Sequence, residues 1–458
     1  MKKIINYMNI AGMLFLTGIL LSCEKMIDAE IPANQIASET VFENVQTADA
    51  ALAGLYASLW NNSPISGDKA ALMLSLYTDD LDFYATSSTN GMNEVYRNQL
   101  IPSNPIVYGQ WASAYQIIYS CNAVIEGCEH SVLLSAQDKM RISGEALLIR
   151  SLLLFYLQQM FGDIPYPVTT NYLTNQSIAK TPSAEVLERL ESDLNKVVPM
   201  LSDQYRNAER IYLNKKSAQI LLAKVCMTRQ KWAEAESHLK LIIQSPLYLV
   251  QNDLTKTFKK TSTNIIWQLK PFNTNDAVKE VIAYYFDFIP PYNYALSTSL
   301  MNSFSASDLR KQRWTIPVTV AGNTWYRAAK YKNLTGNTDE YSVVFRIEEA
   351  YLLLAESLTM QNKTAEALPY LNAVRQRAGL GAVASPISQQ TLLNEILSEN
   401  RKEFFTETGH RFFDLKRMNQ LQQLTATKPN WKPEHQLWPI PERELLLNPN
   451  LKPQNNGY

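Results

Sequence analysis

Two stretches of this chain repeat each other at a fixed offset, and that repeat constrains the fold more than any other feature. "AQILLAKVCMTRQKWAEAESHLKLII", from Ala218, and "AYLLLAESLTMQNKTAEALPYLNAV", from Ala350, align without a gap 132 residues apart. Ala218 falls on Ala350, Leu221-Leu222 on Leu353-Leu354, and Ala223 on Ala355. Further on, Ala233-Glu234-Ala235 falls on Ala365-Glu366-Ala367, Leu239 on Leu371 and Ile242 on Val374. Apolar residues three and four apart put one greasy stripe on each helix. A polar turn, "RQK" or "QNK", separates the two helices of each copy. Small alanines stand where a partner backbone has to come close. Each copy therefore reads as a helical hairpin.

The unit is similar to the tetratricopeptide pattern of about 34 residues. Two such hairpins cannot enclose a core alone, because each buries its apolar face only against a neighbour. Two further pairs complete the set: 47–60 with 111–127, and 143–163 with 184–201. The expected fold is mainly α, with four hairpins, two of them interrupted. A hydrophobic content of 46% and a charged content of 19% fit a folded chain rather than a disordered one. Two stretches break the helical rhythm, at about 61–105 and 245–340. They are expected to be irregular, with a few short strands such as "NIIWQLK" (264–270). Insertions of that length tend to carry function.

At the N-terminus, Lys2 and Lys3 precede the apolar run "IAGMLFLTGILLS". The run is far shorter than the roughly 20 residues a bilayer span needs, so residues 1–22 read as a secretory signal. "LLSC" resembles a bacterial lipobox, which makes Cys23 the lipid-attachment residue, held to the membrane by acyl chains. The remaining cysteines, Cys121, Cys128 and Cys226, are odd in number, which argues against a disulfide framework. They read as small buried hydrophobes. Basic and acidic side chains balance, 43 against 43, so nothing in the total charge favours nucleic acid as a partner.

A search for reaction chemistry finds little. The four histidines, His130, His238, His410 and His435, include no pair spaced as on a zinc-binding helix. No nucleophile elbow, phosphate loop or dinucleotide fingerprint occurs. The acids Asp79, Asp80 and Asp82 in "YTDDLDFY" have three readings: helix-end capping, hydrogen bonding to a sugar, or a weak Ca²⁺ site without the expected loop. No other cofactor is expected. The chain is read as a binder and not an enzyme. Sugar capture needs flat aromatic faces against pyranose C–H groups and polar side chains around the rim. The insertions hold both. The candidate ligand residues are Asp80, Tyr84, Tyr96 and Asn98 in the first insertion, and Tyr292, Trp314, Trp325 and Tyr326 in the second. Trp325-Tyr326 follows the turn signal "AGNT", so an exposed tip is expected there. Trp60, Trp111 and Trp232 accompany hairpin helices and are expected in the core; Trp438 reads as packing.

Several stretches together resemble the SusD/RagB family of outer-membrane lipoproteins of the Bacteroidota. They are "GEALLIRSLLLFYLQQMFGDIPYPV" (144–168), "FRIEEAYLLLAES" (345–357), "LNAVRQRAGL" (371–380), "GHRFFDLKRM" (409–418) and "LWPIPERELLLNPNLKPQNNGY" (437–458). The segment "ENRKEFFTETGHRFFD" departs from the family pattern: Asn400 stands where an arginine is expected, and "TETG" replaces Phe-Glu-Gly. Its charges are expected to be structural, with Arg411 and Asp414 pairing one turn apart. The resemblance implies a SusD-like fold in two regions after the signal, 23–244 with three hairpins and 245–458 with the fourth. It implies a non-catalytic, lipid-anchored protein of the outer membrane, facing the exterior. Such proteins form a lid on a SusC-like TonB-dependent barrel transporter, with the hairpin side toward the barrel and the loop side toward a nutrient. A glycan is the expected ligand, an oligopeptide the alternative. A scaffold for an envelope complex is the reading outside nutrient capture.

Overall fold

The structure is a computed structural model describing residues 40–85 and 90–458. The signal segment and Cys23 lie outside the described residues. Helices of eight residues or more are numbered here: α1 (Val45–Asn62), α2 (Ala70–Tyr77), α3 (Pro105–His130), α4 (Ala136–Phe161), α5 (Ser183–Met200), α6 (Lys215–Thr228), α7 (Trp232–Ile243), α8 (Ile347–Met360), α9 (Thr364–Arg377), α10 (Gln389–Phe404) and α11 (His410–Arg417). The strands are β1 (Leu81–Phe83), β2 (Ile265–Leu269), β3 (Tyr294–Leu296), β4 (Thr315–Val320), β5 (Asn323–Ala328) and β6 (Ser342–Arg346). None of the described helices is long and apolar enough to cross a membrane.

The four expected hairpins form: α1 packs on α3, α4 on α5, α6 on α7, and α8 on α9. They also stack in series, α3 on α4, α5 on α6, and α7 on α8. The two copies of the sequence repeat are the last two hairpins, and their turns are built alike. Gln230 and Asn362, 132 residues apart, both take a left-handed backbone, with φ 60° and 61°. In each turn the next residue's amide reaches back to the helix, Lys231 N to Cys226 O at 2.8 Å and Lys363 N to Leu358 O at 2.9 Å. These bonds occupy carbonyls that a helix end leaves unpaired. Side-chain caps start the long helices: the Asn104 carboxamide accepts from Ile106 N, with Pro105 behind it, and the Ser135 hydroxyl accepts from Asp138 N. Between hairpins, Glu236 on α7 accepts from Gln361 and Lys363 in the turn after α8. Cys121, Cys128 and Cys226 are free and buried.

The first insertion is not wholly irregular. Residues 70–77, "AALMLSLY", form α2, and all eight are buried. The stretch lacks the alternation of a half-exposed helix because every face is covered. The second insertion leaves the stack after α7 and returns at α8. Antiparallel pairing of β2 with β6 closes its base. Beyond that base the two insertions meet in one sheet of order β1-β3-β5-β4, with β1 supplied by the first and the other three by the second.

A buried ionic lattice fixes this excursion to the C-terminal helices. The Glu403 carboxylate, on α10, accepts from Arg310 (2.9 Å), Arg346 (2.5 Å) and Arg377. Arg310 also pairs with Asp308 and Glu399, and Arg346 with Glu348 and Glu407. These side chains are buried and every charge is answered, the condition under which buried ion pairs are tolerated. The structural role expected for the 399–414 charges holds, but one expected pair does not. Arg411 turns away from Asp414 and binds Asp79 at 2.8 Å, while Asp414 takes Arg417 at 2.8 Å. Asp414 has an arginine one turn away on either side; it keeps Arg417, because the buried Asp79 draws Arg411 inward.

Candidate ligand-binding surface

The β1-β3-β5-β4 sheet has two faces of different character. Leu81 pairs with Leu296, Phe83 with Tyr294, and Leu296 with Tyr326. This inner face joins the main core, into which Phe83, Tyr294 and Tyr326 pack. Alternation along a strand sends the intervening residues to the other side. There Phe286, Ala295 and Val318 form a small separate cluster, with Ile316, Val320 and Trp325 on its margin. The β4–β5 hairpin turns at Ala321-Gly322, where both backbones have positive φ (50° and 83°).

Trp325 is thus half-buried on the outer face, cross-strand from Val318. Its indole meets the hydroxyl of Tyr84, the residue that follows β1, whose pKa is pushed up first by burial and then by Asp82. Tyr84 is 39% exposed. Its amide donates to Asn293 O at 2.8 Å, which ties the end of β1 to the loop before β3. That loop, 285–293, is the most apolar exposed segment nearby: Phe288 is 87% and Tyr292 79% exposed, and Tyr285 and Ile289 are also open to solvent. Phe288 holds φ 57°, an uncommon conformation for an aromatic residue. Contiguous exposed apolar surface of this kind marks an interaction site.

Beside β1 lies a polar hollow of about 200 Å³, lined by Asp82, Tyr96, Thr298, Ser299, Thr427 and Lys428. Tyr96 donates its hydroxyl to Asp82 at 3.2 Å. Its pKa is pushed up to about 12 by burial and then by that carboxylate. The Lys428 ammonium lies 3.8 Å from the centre of the Tyr96 ring and donates to the carbonyls of Leu76 and Tyr96. Burial pulls its pKa down to about 8. The arrangement offers flat rings, a carboxylate and hydroxyls side by side, the set a sugar requires.

The structure gathers Tyr84, Tyr96, Tyr292 and Trp325 around this surface and turns the other four candidates, Asp80, Asn98, Trp314 and Tyr326, away from it. Asp80 is 1% exposed and accepts from Arg401 Nε at 2.9 Å. With Asp79 bound by Arg411, both carboxylates are committed to arginines. Asn98 is 1% exposed and donates to Tyr77 O at 2.8 Å from a left-handed turn position. Trp314 is 1% exposed; its indole donates to Leu254 O at 2.9 Å and its ring packs on Phe258 and Phe405. Tyr326 points into the inner face, away from Trp325. Trp325 itself is part-covered rather than at an open tip. Sequence reasoning weighed all three acids and took Asp80 rather than Asp82 into the candidate set, and it missed Phe288 and Ile289 altogether. The signal for the last two was "FDFIPPYNY", an apolar run stopped by Pro290-Pro291, which pins a loop and leaves the run no partner strand. Among the described residues no group of three or more His, Cys, Asp or Glu is placed to hold a metal.

A stack of helical hairpins that carries a small sheet on a separate excursion is an architecture of the SusD-like type. The comparisons agree, and the chain belongs to the SusD family: the SusD family model matches residues 298–458, and a model described as starch-binding, associating with the outer membrane, matches residues 32–227. Curated relatives include SusD-like proteins P25 and P2 of Formosa agariphila. Each is 26% identical, over 98% and 94% of this chain and 99% and 96% of their own lengths. Among solved structures, a SusD superfamily protein of Bacteroides vulgatus superimposes with a TM-score of 0.80 at 19% identity, covering 91% of this chain and 99% of its own. Surface glycan-binding protein A of Bacteroides thetaiotaomicron, in complex with laminarihexaose, gives 0.76 at 20% identity, covering 90% and 99%.

Proposed function

We propose that this protein captures a glycan at the cell surface without transforming it, and delivers it to a SusC-like TonB-dependent transporter. The observation that carries the reading is the outer face of the sheet, where Trp325, Tyr84 and the exposed loop 285–293 stand beside the Asp82 hollow. Rings of this kind bury the C–H side of a pyranose while the acid and hydroxyls replace lost water. The laminarihexaose complex of a similar fold supports the ligand class. The description of the N-terminal family model supports residence at the outer membrane. The lipobox-like "LLSC" supports an acyl anchor on Cys23.

A second exposed apolar surface, on the hairpins, supports the transporter as partner. Tyr119 on α3 is exposed and lines two adjoining grooves, one with Val132 and Leu133, the other with Tyr172 and Leu447. The first groove also contains Val41, Phe42 and Glu43, where the described chain begins.

Affinity electrophoresis against a polysaccharide panel tests the ligand. Trp325→Ala is expected to weaken retention about tenfold, near 1.4 kcal/mol; unchanged retention takes Trp325 out of the site. Retention of oligopeptides and of no glycan favours the peptide alternative. Cys23→Ser is expected to release the protein from membranes, and continued attachment contradicts the anchor.

A further inference from the structure

The ligand face contains a cation whose charge nothing in the described structure answers. Arg327 lies on β5, two residues from Trp325 and on the same outer face, paired across to Ile316. Its guanidinium stacks over the Tyr285 ring, 4.2 Å from the centroid. Its Nε and Nη1 are buried with no hydrogen-bond partner. Among the described residues it forms no ion pair, although the chain's other sheet-borne arginine, Arg346, has three carboxylates around it. Cations lie close by: the Lys332 ammonium, which donates to Arg313 O at 2.8 Å, is depressed by burial, raised by Glu340, and depressed again by Arg327, Lys259 and Arg313, while Glu340 itself pairs with Lys259 and not with Arg327. Asp82 shares the face but is separated from Arg327 by β3 and engages Tyr96 instead.

An unpaired, partly desolvated guanidinium is costly, and its planar fork fits an oxyanion. We propose that Arg327 receives an anionic substituent of the captured glycan, a uronate carboxylate or a sulfate ester, while the sugar ring rests on Trp325 and Tyr84. This rests on the glycan-capture reading and narrows it to acidic glycans. The exposed Tyr285 ring covers the guanidinium, so the anion enters along its edge or displaces it.

The test uses the full mature protein and matched probes: polygalacturonate against its methyl ester, and dextran sulfate against dextran. At low salt the acidic member of at least one pair is expected to be retained more strongly, by tenfold or more, with the advantage shrinking as salt rises. Arg327→Met is expected to erase that preference while the thermal midpoint stays level or rises, since no ion pair is lost and the methionine side chain keeps an apolar contact for the exposed Tyr285 ring. Lys196→Met, on the exposed side of α5, is the control for indiscriminate polyanion binding and is expected to change nothing. Equal retention of both members of each pair, or an equal loss in Lys196→Met, overturns the inference and leaves glycan capture standing. An unaltered acidic preference in Arg327→Met overturns it as well. Retention of acidic oligopeptides but of no glycan overturns this inference together with the reading beneath it.

Discussion

Trp325 and Tyr326 are adjacent in sequence and belong to different regions of the molecule. The inner face of the sheet, with Tyr326, continues into the main core and is locked by Arg310, Arg346 and Arg377 around Glu403. The outer face, with Trp325, carries a small cluster of its own, exposed aromatic residues and an arginine with no carboxylate. The same fold thus answers every charge of the Glu403 lattice on one side and leaves an arginine open on the other. Stability resides on the inner side and recognition on the outer, and mutations on the two sides should separate cleanly.

The largest expected effect is on the inner side. Glu403→Ala leaves three buried arginines short of a partner and is expected to cost about 3–5 kcal/mol or more, read from urea denaturation. A loss below about 1 kcal/mol would mean that the lattice does not hold the excursion in place. Trp314→Ala, at a position that sequence pattern offers as a ligand platform, is expected to cost about 3–5 kcal/mol through its cavity. Any glycan effect should follow the loss of folded protein.

Next comes a pH effect at the root of the outer loop. Glu280, in the short helix before loop 285–293, is buried and takes the Ser342 hydroxyl. Burial raises its carboxyl to about 7, with Asp68 and Glu407 adding to the rise. The native state therefore holds a proton that the unfolded chain has released. The stabilisation is complete below the unfolded value near 4.5 and is lost as pH climbs to about 7, at on the order of 1 kcal/mol per unit. Glu280→Gln is expected to gain on wild type across that window and then run parallel to it. Parallel curves throughout would place the proton elsewhere.

Smaller still is the outer-face effect. Tyr292→Ala is expected to shift stability by less than about 0.5 kcal/mol while weakening glycan retention, read on the same gels as Trp325→Ala. A stability loss matching that of Trp314→Ala would put Tyr292 in the core and blur the distinction between the faces.

The scaffold was legible because helices announce themselves locally. The Ala218 and Ala350 copies carry their apolar stripes in sequence, and even their turns repeat, at Gln230 and Asn362. Helix α2 was hidden, since a segment buried on every side has no polar face to set a period. The site was half legible. Composition located the aromatic insertions, but the face each residue occupies depends on register between β1 and β3, strands brought together from insertions some 200 residues apart. That long-range pairing is why Asp80 and Asp82, two positions apart, could not be ranked, and why Trp314 looked like Trp325.

A crystal structure of the protein with its best-retained oligosaccharide tests the central claim most directly. A sugar ring stacked on Trp325 beside Tyr84, with hydroxyls toward Asp82, is the predicted result. Sugar held instead in the hairpin grooves around Tyr119, with the outer face of the sheet empty, would contradict it.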